Sequence, residues 1–164
     1  MIYSGKTLTV EANQDAIALL TLDLEGESVN KLASYVLKEL GEAVEAIKAT
    51  ADLKGLVIRS AKEAFVVGAD ITEFHQMFEK DEAFLIDMNM NIHGIFNAIE
   101  DLPFPTVTAI NGLALGGGCE ITLTTDFRVM ADSAKIGLPE TKLGIIPGWA
   151  GCVRLPRLIG ADNA

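Results

Sequence analysis

In the first third of the chain, hydrophobic and polar residues first alternate as in β-strands, and the hydrophobic residues then recur with the period of an α-helix. TLTV at 7–10 and AIALLTLD at 16–23 are rich in strand-forming residues and flank the polar segment EANQD, which predicts a β-hairpin. Apolar residues then recur at helical spacing, namely Val36, Leu37, Leu40, Val44 and Ile47. The short β-branched run GLVIRS at 55–60 predicts a strand that is covered on its faces.

A second apolar stripe occupies the middle of the chain. It predicts a helix ending near Leu102, before two prolines, and it consists of Phe84, Leu85, Met88, Ile92, Ile95, Phe96 and Ile99. TVTAI at 106–110 then predicts a strand, the glycine run at 116–118 opens a helix through about Leu123, and FRVMA predicts another strand. A further helical pattern starts within the final stretch RLPRLIGADNA. Alternating β and α units of this kind favour a parallel sheet covered by helices.

Composition narrows the class of protein. The 164 residues are 49% hydrophobic and 22% charged, which is typical of one globular domain. The formal net charge of -10 disfavours binding to nucleic acid or to an anionic membrane. No apolar run reaches the roughly 20 residues needed to span a bilayer, so we expect no membrane insertion. The two cysteines lack metal-ligand spacing and no signal segment is visible at the N-terminus, which favours a soluble protein of a reducing compartment.

The stretch NGLALGGGCEIT at 111–122 needs a local explanation, because each glycine inside a helix costs about 1 kcal/mol relative to alanine. If the helix begins near Gly117, its first N–H groups lack partners, and Glu120 lies on the same face. A carboxylate and a free N–H could then meet one reacting group. Alternatively, the glycines allow close helix packing and Glu120 is a capping or exposed charge. The spacing matches neither a P-loop nor a dinucleotide-binding motif.

A second acid, Glu140, occurs in IGLPETKLGIIPG after a strand-like segment. Two carboxylates in apolar surroundings can have their pKa values pushed apart, so that one serves as general acid and the other as general base. A Pro-Glu pair is also common in surface turns, and this reading stays open for Glu140 alone.

The third stretch, AFVVGADITEF at 64–74, places Asp70 before a helix. We expect Asp70 to be an N-cap rather than a catalytic acid, with free N–H groups just before the helix. The histidines, His75 and His93, lack ligand spacing, so we expect no metal site. The absence of a G-x-S-x-G elbow disfavours serine hydrolysis.

These three stretches, in this order, resemble the enoyl-CoA hydratase/isomerase, or crotonase, superfamily over essentially all 164 residues. Within it, the pattern is most similar to the branch that forms the N-terminal part of the α subunits of bacterial fatty-acid β-oxidation complexes. The resemblance implies an α/β fold, a crotonase-like spiral of β-β-α units. It also implies that residues 1–164 are the N-terminal core only, truncated before the C-terminal helices, so that activity in the fragment is uncertain.

At the site, the resemblance implies that the backbone N–H groups of Ala69 and Gly117 form an oxyanion hole for a thioester carbonyl. It matches Glu120 and Glu140 to the family's two catalytic glutamates. Neighbouring residues are expected to contact substrate, and they are Gly68, Asp70 and Gly116. The implied reaction is hydration of a 2-enoyl-CoA, with double-bond isomerisation as a second activity.

The resemblance also bears on cofactors and partners. It implies no cofactor, since coenzyme A is part of the substrate and NAD belongs to a dehydrogenase part absent from these residues. It implies an oligomer, partnered in the full-length protein by a thiolase β subunit, in the cytoplasm. Trp149 and Ala150 stand where relatives often have a smaller or Phe-Gly pair, so we expect an altered pocket shape. The alternatives are another crotonase-fold isomerase or hydrolase, or a non-catalytic CoA-binding fragment.

Overall fold

The computed structural model describes all of residues 1–164 and contains two sheets flanked by helices. The strands are β1 (Tyr3–Ser4), β2 (Leu8–Ala12), β3 (Ile17–Leu22), β4 (Gly55–Ser60), β5 (Thr106–Ile110), β6 (Leu113–Leu115), β7 (Phe127–Met130) and β8 (Lys135–Gly137). The α-helices are α1 (Ser34–Ala49), α2 (Phe74–Phe78), α3 (Glu82–Glu100), α4 (Gly117–Thr122) and α5 (Gly151–Ile159). Two 3-10 helices span Ile71–Glu73 and Glu140–Leu143.

The larger sheet has the strand order β1-β2-β3-β4-β5-β7. The predicted hairpin is confirmed, because β2 and β3 pair antiparallel with Leu8 opposite Leu22. From β3 onwards the pairs β3–β4, β4–β5 and β5–β7 are all parallel, which confirms the predicted parallel sheet. Alternate residues of β2, β3 and β4 are buried, so one face of this sheet supplies much of the core.

Helix α1 covers the sheet through the apolar stripe that the sequence predicts. Its buried residues are Val36, Leu37, Leu40, Ala43, Val44 and Ile47. They join a hydrophobic core of 25 buried residues that includes side chains of β2, β3 and β4. Each large aliphatic side chain buried in this way contributes about 1.5–3 kcal/mol, so α1 and the sheet stabilise one another.

Helix α3 departs from expectation in its first half. The apolar stripe predicts one buried face along the whole helix, but only Ile92, Phe96 and Ile99 are buried, and Phe84 is 46% exposed. The apolar residues do lie on one face of the helix, but the first turns of this face border an open groove between α1 and α3 instead of packing against another element. No helix of the molecule combines the length and the apolarity that a bilayer crossing requires.

A second, smaller sheet lies beside the first and was not predicted. Strands β6 and β8 pair parallel, and two isolated parallel bridges extend the arrangement, one between Val66 and Ala114 and one between Leu32 and Ala69. Residues 30–32, residues 66–69, β6 and β8 therefore run side by side in one direction. All three sequence motifs meet at the end of this group of short segments.

Candidate active site

The glycine run is shaped by its neighbours as well as by its backbone. Gly116 has a φ of +54°, in the left-handed region that favours glycine, and α4 begins at Gly117 as the sequence predicts. A Cβ on Gly118 would collide with the carbonyl oxygen of Val66. The close-packing alternative is therefore correct for Gly118, and it explains how α4 comes to lie against the segment at 66–69.

Two backbone N–H groups are left without an acceptor where these segments end. Neither Ala69 nor Gly117 donates a hydrogen bond within the chain. The bridge between Val66 and Ala114 sets the register, so Ala69 and Gly117 each lie three residues further along two parallel segments. The segments remain close there, because a Cβ on Gly116 would lie 3.8 Å from Gly68 Cα.

The direction of the Ala69 N–H follows from the bridge on its other edge. Leu32 donates its N–H to Gly68 O at 2.8 Å and accepts from the N–H of Asp70 at 3.3 Å. The N–H and C=O of Ala69, between these two residues, therefore point to the opposite edge. That edge faces β6 and the start of α4, since Val66 exchanges 3.0 Å hydrogen bonds with β6.

Glu120 is a buried carboxylate, with 2% of its surface exposed. Its Oε1 accepts 2.8 Å hydrogen bonds from the backbone N–H groups of both Trp149 and Gly151. These N–H groups converge because Ala150, between them, adopts a left-handed conformation with a φ of 72°. Such a concave pair of N–H groups is an anion-binding nest. The alternative that Glu120 is an exposed charge is therefore wrong.

Burial raises the pKa of Glu120 to about 7, and the nearby carboxylate of Glu140 adds to the rise, against the N–H groups of Gly151 and Trp149. A carboxyl group with this pKa exchanges protons near neutral pH. The thiol of the adjacent residue, Cys119, lies in a similarly buried and negatively charged environment. Burial raises its pKa to about 12, and the carboxylates of Glu120 and Glu140 add to the rise.

Glu140 lies at the start of a 3-10 helix and is 8% exposed, so the alternative of an exposed surface turn is wrong. A Cβ on Gly116 would lie 3.1 Å from its Oε1, which places this carboxylate directly against the glycine run. Its Oε2 is buried without a hydrogen-bond partner. The structure thus brings Glu120, Glu140 and the glycine run to one place and leaves an unpaired polar atom there.

A groove of about 800 Å³ runs between α1 and α3 towards these residues. Its walls are largely apolar, and Ala69 and Trp149 line it, whereas the two glutamates do not. The Trp149 ring packs edge-on against Phe96 at a centroid distance of 6.1 Å. The groove is therefore lined by Ala69, the residue with an unpaired N–H group, and not by the two carboxylates.

Asp70 acts as the N-cap that the sequence predicts. Its Oδ1 accepts from the N–H of Thr72 at 3.1 Å and from its hydroxyl at 2.7 Å, and its Oδ2 lies 3.1 Å from Lys31 Nζ. The hydroxyl of Thr72 is the main cause of the lowered pKa of Asp70, with Lys31 contributing. Gly68, one residue before Ala69, has a φ of +112°, which favours glycine at this turn. No group of three or more His, Cys, Asp or Glu side chains has the arrangement of a metal site.

Two structural features in and around the site were not predicted from the sequence. The nest around Glu120 comes from backbone atoms at 149–151, and no side-chain motif reports a backbone conformation. The second is Asn30, which is 1% exposed and hydrogen-bonded on every polar atom of its carboxamide group. The only available signal was a polar residue next to Val29 and close to Leu32 in the stretch SVNKL.

Comparison with known proteins agrees with this fold. The family model described as enoyl-CoA hydratase/isomerase matches residues 12–164, and the chain belongs to this family. The fatty acid oxidation complex subunit alpha of Pseudomonas putida (strain GB-1) is 59% identical over all 164 residues. The chain covers 23% of that relative, so it spans about a quarter of the length of the curated relatives it matches.

Solved structures share the crotonase-like fold. The enoyl-CoA hydratase from Bacillus anthracis has a TM-score of 0.84 at 35% identity, covering 96% of this chain and 60% of that one. A structure from Geobacillus kaustophilus HTA426, described as an enoyl-CoA hydratase, has a TM-score of 0.88 at 31% identity, covering 98% of this chain and 60% of that one.

Proposed function

We propose that the protein adds water to 2-enoyl-CoA thioesters to give 3-hydroxyacyl-CoA, as a step of fatty-acid β-oxidation. The observation that carries the proposal is the meeting of two buried carboxylates, Glu120 and Glu140, beside two N–H groups without acceptors, those of Ala69 and Gly117. The family and the similarity to fatty acid oxidation complex α subunits support it.

Thioester activation falls to the two backbone donors. Attack of water on the β carbon of a conjugated thioester moves negative charge onto the thioester oxygen. The N–H groups of Ala69 and Gly117 would donate to this oxygen, and a fixed donor at such a position contributes roughly 3–4 kcal/mol to the transition state. Because both groups lack partners in the free protein, no internal hydrogen bond has to be broken first.

The two carboxyl groups would carry out the proton transfers of the reaction. Glu120 orients a water molecule and takes its proton during attack on the β carbon, while Glu140 delivers a proton to the α carbon. The nest at Trp149 and Gly151 occupies Oε1 of Glu120 and leaves Oε2 without a hydrogen bond, available to a water molecule. Proton transfers of this kind typically contribute about a hundredfold to ten-thousandfold each.

The groove between α1 and α3 would hold the acyl chain. It is lined in part by Ala69, where the thioester carbonyl would be bound, and about half of its lining residues are hydrophobic. Its volume of about 800 Å³ lies within the range of small-molecule sites, which is roughly 300–1,000 Å³.

Double-bond isomerisation would use the same groups. A carboxyl group that reaches the α carbon can move a proton between positions of an enoyl thioester once the oxyanion is stabilised. We propose that the protein requires no cofactor for either reaction. We also propose that it works in the cytoplasm, in an oligomer with a thiolase β subunit, since the relatives are subunits of a fatty acid oxidation complex.

Incubation of the purified protein with crotonyl-CoA tests the proposal. We expect 3-hydroxybutanoyl-CoA to form and 3-enoyl-CoA substrates to isomerise. Calorimetric binding of an acyl-CoA without turnover would instead indicate a CoA-binding module, and free CoA as product would indicate a thioester hydrolase.

A further inference from the structure

Asn30 connects the main sheet to the segment that carries the Ala69 N–H. Its carboxamide is buried and has four partners, which are Leu24 N at 3.0 Å, Leu22 O at 3.1 Å, Ser60 Oγ at 2.9 Å and Phe65 O at 3.3 Å. The partners Leu22 and Ser60 are the last residues of β3 and β4. One side chain therefore ties the ends of two neighbouring parallel strands to the segment that leads to Ala69.

The backbone of Asn30 starts a ladder that ends beside Ala69. Val67 donates its N–H to Asn30 O at 2.9 Å, and the next rungs join Leu32 to Gly68 and Asp70. These rungs turn the Ala69 N–H away from residues 30–32 and towards the start of α4. The orientation of this N–H therefore depends on where the 30–32 segment lies, and Asn30 fixes that segment to the sheet.

Two further contacts close the far end of the same ladder, one ion pair that is partly buried and one hydrogen bond that is exposed. Lys31 pairs with Asp70 at 3.1 Å, and Glu73 accepts from Ser34 at 2.9 Å in an exposed position. The exposed contact is worth little on average, and the Lys31–Asp70 ion pair ties residue 31 to residue 70, beyond Ala69, rather than to the main sheet. The carboxamide of Asn30 is the buried side-chain attachment to the main sheet, and its hydrogen bonds are shielded from competing water.

We propose that Asn30 is a positioning residue for the thioester-polarising donor. It holds residues 65–68 so that the Ala69 N–H stays aimed at the carbonyl oxygen of the bound acyl thioester. This inference rests on the proposed function, and it assigns Asn30 no contact with substrate. A small displacement of a catalytic group can lower the rate about a hundredfold, so the loss of this anchor is expected to reduce kcat rather than substrate binding.

The matched control is Asn111. It is another asparagine that binds the loop between β4 and Phe65, since its Nδ2 donates to Lys62 O at 2.6 Å and to Glu63 O at 3.1 Å. Asn111 is exposed and makes no side-chain hydrogen bond to residues 65–70. Asn111→Ala therefore removes two loop hydrogen bonds while leaving the Ala69 segment attached.

The experiment measures polarisation of the thioester carbonyl directly. Butanoyl-CoA labelled with carbon-13 at the carbonyl cannot be hydrated, and infrared difference spectra report how far its carbonyl stretch falls on binding. We expect a clear fall in the wild-type protein and in Asn111→Ala. In Asn30→Ala we expect most of this shift to be lost, with kcat for crotonyl-CoA reduced at least tenfold and KM changed less than threefold.

A less disruptive substitution provides the test if Asn30→Ala does not fold. Ser60→Ala removes one acceptor of the Asn30 carboxamide at the end of β4, and we expect a partial loss of the carbonyl shift. An unchanged shift in folded Asn30→Ala, or in Ser60→Ala where the former is unfolded, overturns the positioning role. A wild-type protein that binds butanoyl-CoA without any shift contradicts the proposed function instead.

Discussion

The backbone N–H of Gly151 donates a 2.8 Å hydrogen bond to Oε1 of Glu120. A Cβ at position 151 would lie 2.9 Å from this same oxygen and 2.9 Å from Pro147 Cβ. Glycine at 151 therefore allows the carboxylate to approach the main chain, and the position of Glu120 depends on the absence of a side chain there.

Gly151→Ala is expected to displace Glu120 from its nest. Overpacking of a buried position costs typically 1–3 kcal/mol, and we expect a loss of unfolding free energy in this range together with at least a tenfold lower hydration rate. Chemical denaturation and a crotonyl-CoA assay measure the two effects. The control for the stability measurement is Gly94→Ala in α3, where a Cβ meets nothing within 4 Å and helix propensity favours alanine by up to about 1 kcal/mol. An equal loss of unfolding free energy in the two variants would contradict the steric explanation.

The raised pKa of Glu120 predicts a pH dependence of stability. The folded protein holds this proton up to about pH 7, whereas the unfolded chain loses it near pH 4.5, so the folded state binds more protons between these values. Stability from this group is therefore present below about pH 4.5 and is lost as pH rises towards 7. The shift corresponds to about 3 kcal/mol.

Glu120→Gln isolates this contribution, because glutamine retains an oxygen for the nest and does not titrate. Unfolding free energies of both proteins measured from pH 4.5 to pH 8 give the comparison. We expect the wild type to lose stability relative to the variant by up to about 3 kcal/mol across this range. A constant difference between the two proteins would show that Glu120 has an ordinary pKa.

The two cysteines are expected to differ sharply in reactivity. Cys119 is buried, with a pKa of about 12, whereas Cys152 is exposed. Because the thiolate is the reactive form, one thiol per chain should react with a maleimide at pH 7.5 in the native protein and two after unfolding. Cys152→Ser should reduce native labelling to nearly zero. Rapid native labelling of that variant would contradict the burial of Cys119.

Acyl chain length tests the groove between α1 and α3. Each additional buried CH2 contributes about 0.8 kcal/mol, so kcat/KM should rise about fourfold per carbon until the groove is filled. Met88→Trp, which enlarges a residue lining the groove, should reduce activity towards long chains and spare crotonyl-CoA. Met130→Trp on β7 serves as control because it lies outside the groove. Equal losses for short and long substrates in Met88→Trp would place the acyl chain elsewhere.

Periodicity in the sequence predicts the elements that bury a continuous stripe or an alternating face. The β2–β3 hairpin, α1, β4 and β5 were predicted for this reason. The second sheet was not, because β6 and β8 have three residues each and the bridges at Leu32 and Val66 involve single residues. Segments this short carry no detectable period, and they form only because the larger sheet and α4 bring them together.

The resemblance carried by the three motifs predicts which residues approach the site but not how they are held. It implies that Ala69, Gly117, Glu120 and Glu140 belong to the candidate site, whereas the nest at 149–151 depends on the left-handed backbone of Ala150. A non-glycine residue in that conformation cannot be read from the sequence, since local sterics disfavour it. Tertiary contacts override local preference here, as they also do where the first half of α3 stays exposed.

The central claim is that Glu120 and Glu140 act on one substrate, and crotonyl-CoA hydration by Glu120→Gln and Glu140→Gln measures it most directly. The control is Glu39→Gln, since Glu39 is a half-buried carboxylate that, like Glu120, accepts backbone hydrogen bonds, but from Lys6 and Thr7 near the N-terminus. We predict that both site variants bind butanoyl-CoA normally and lose at least a hundredfold in turnover, while Glu39→Gln retains wild-type turnover. Wild-type turnover in either site variant would contradict the account.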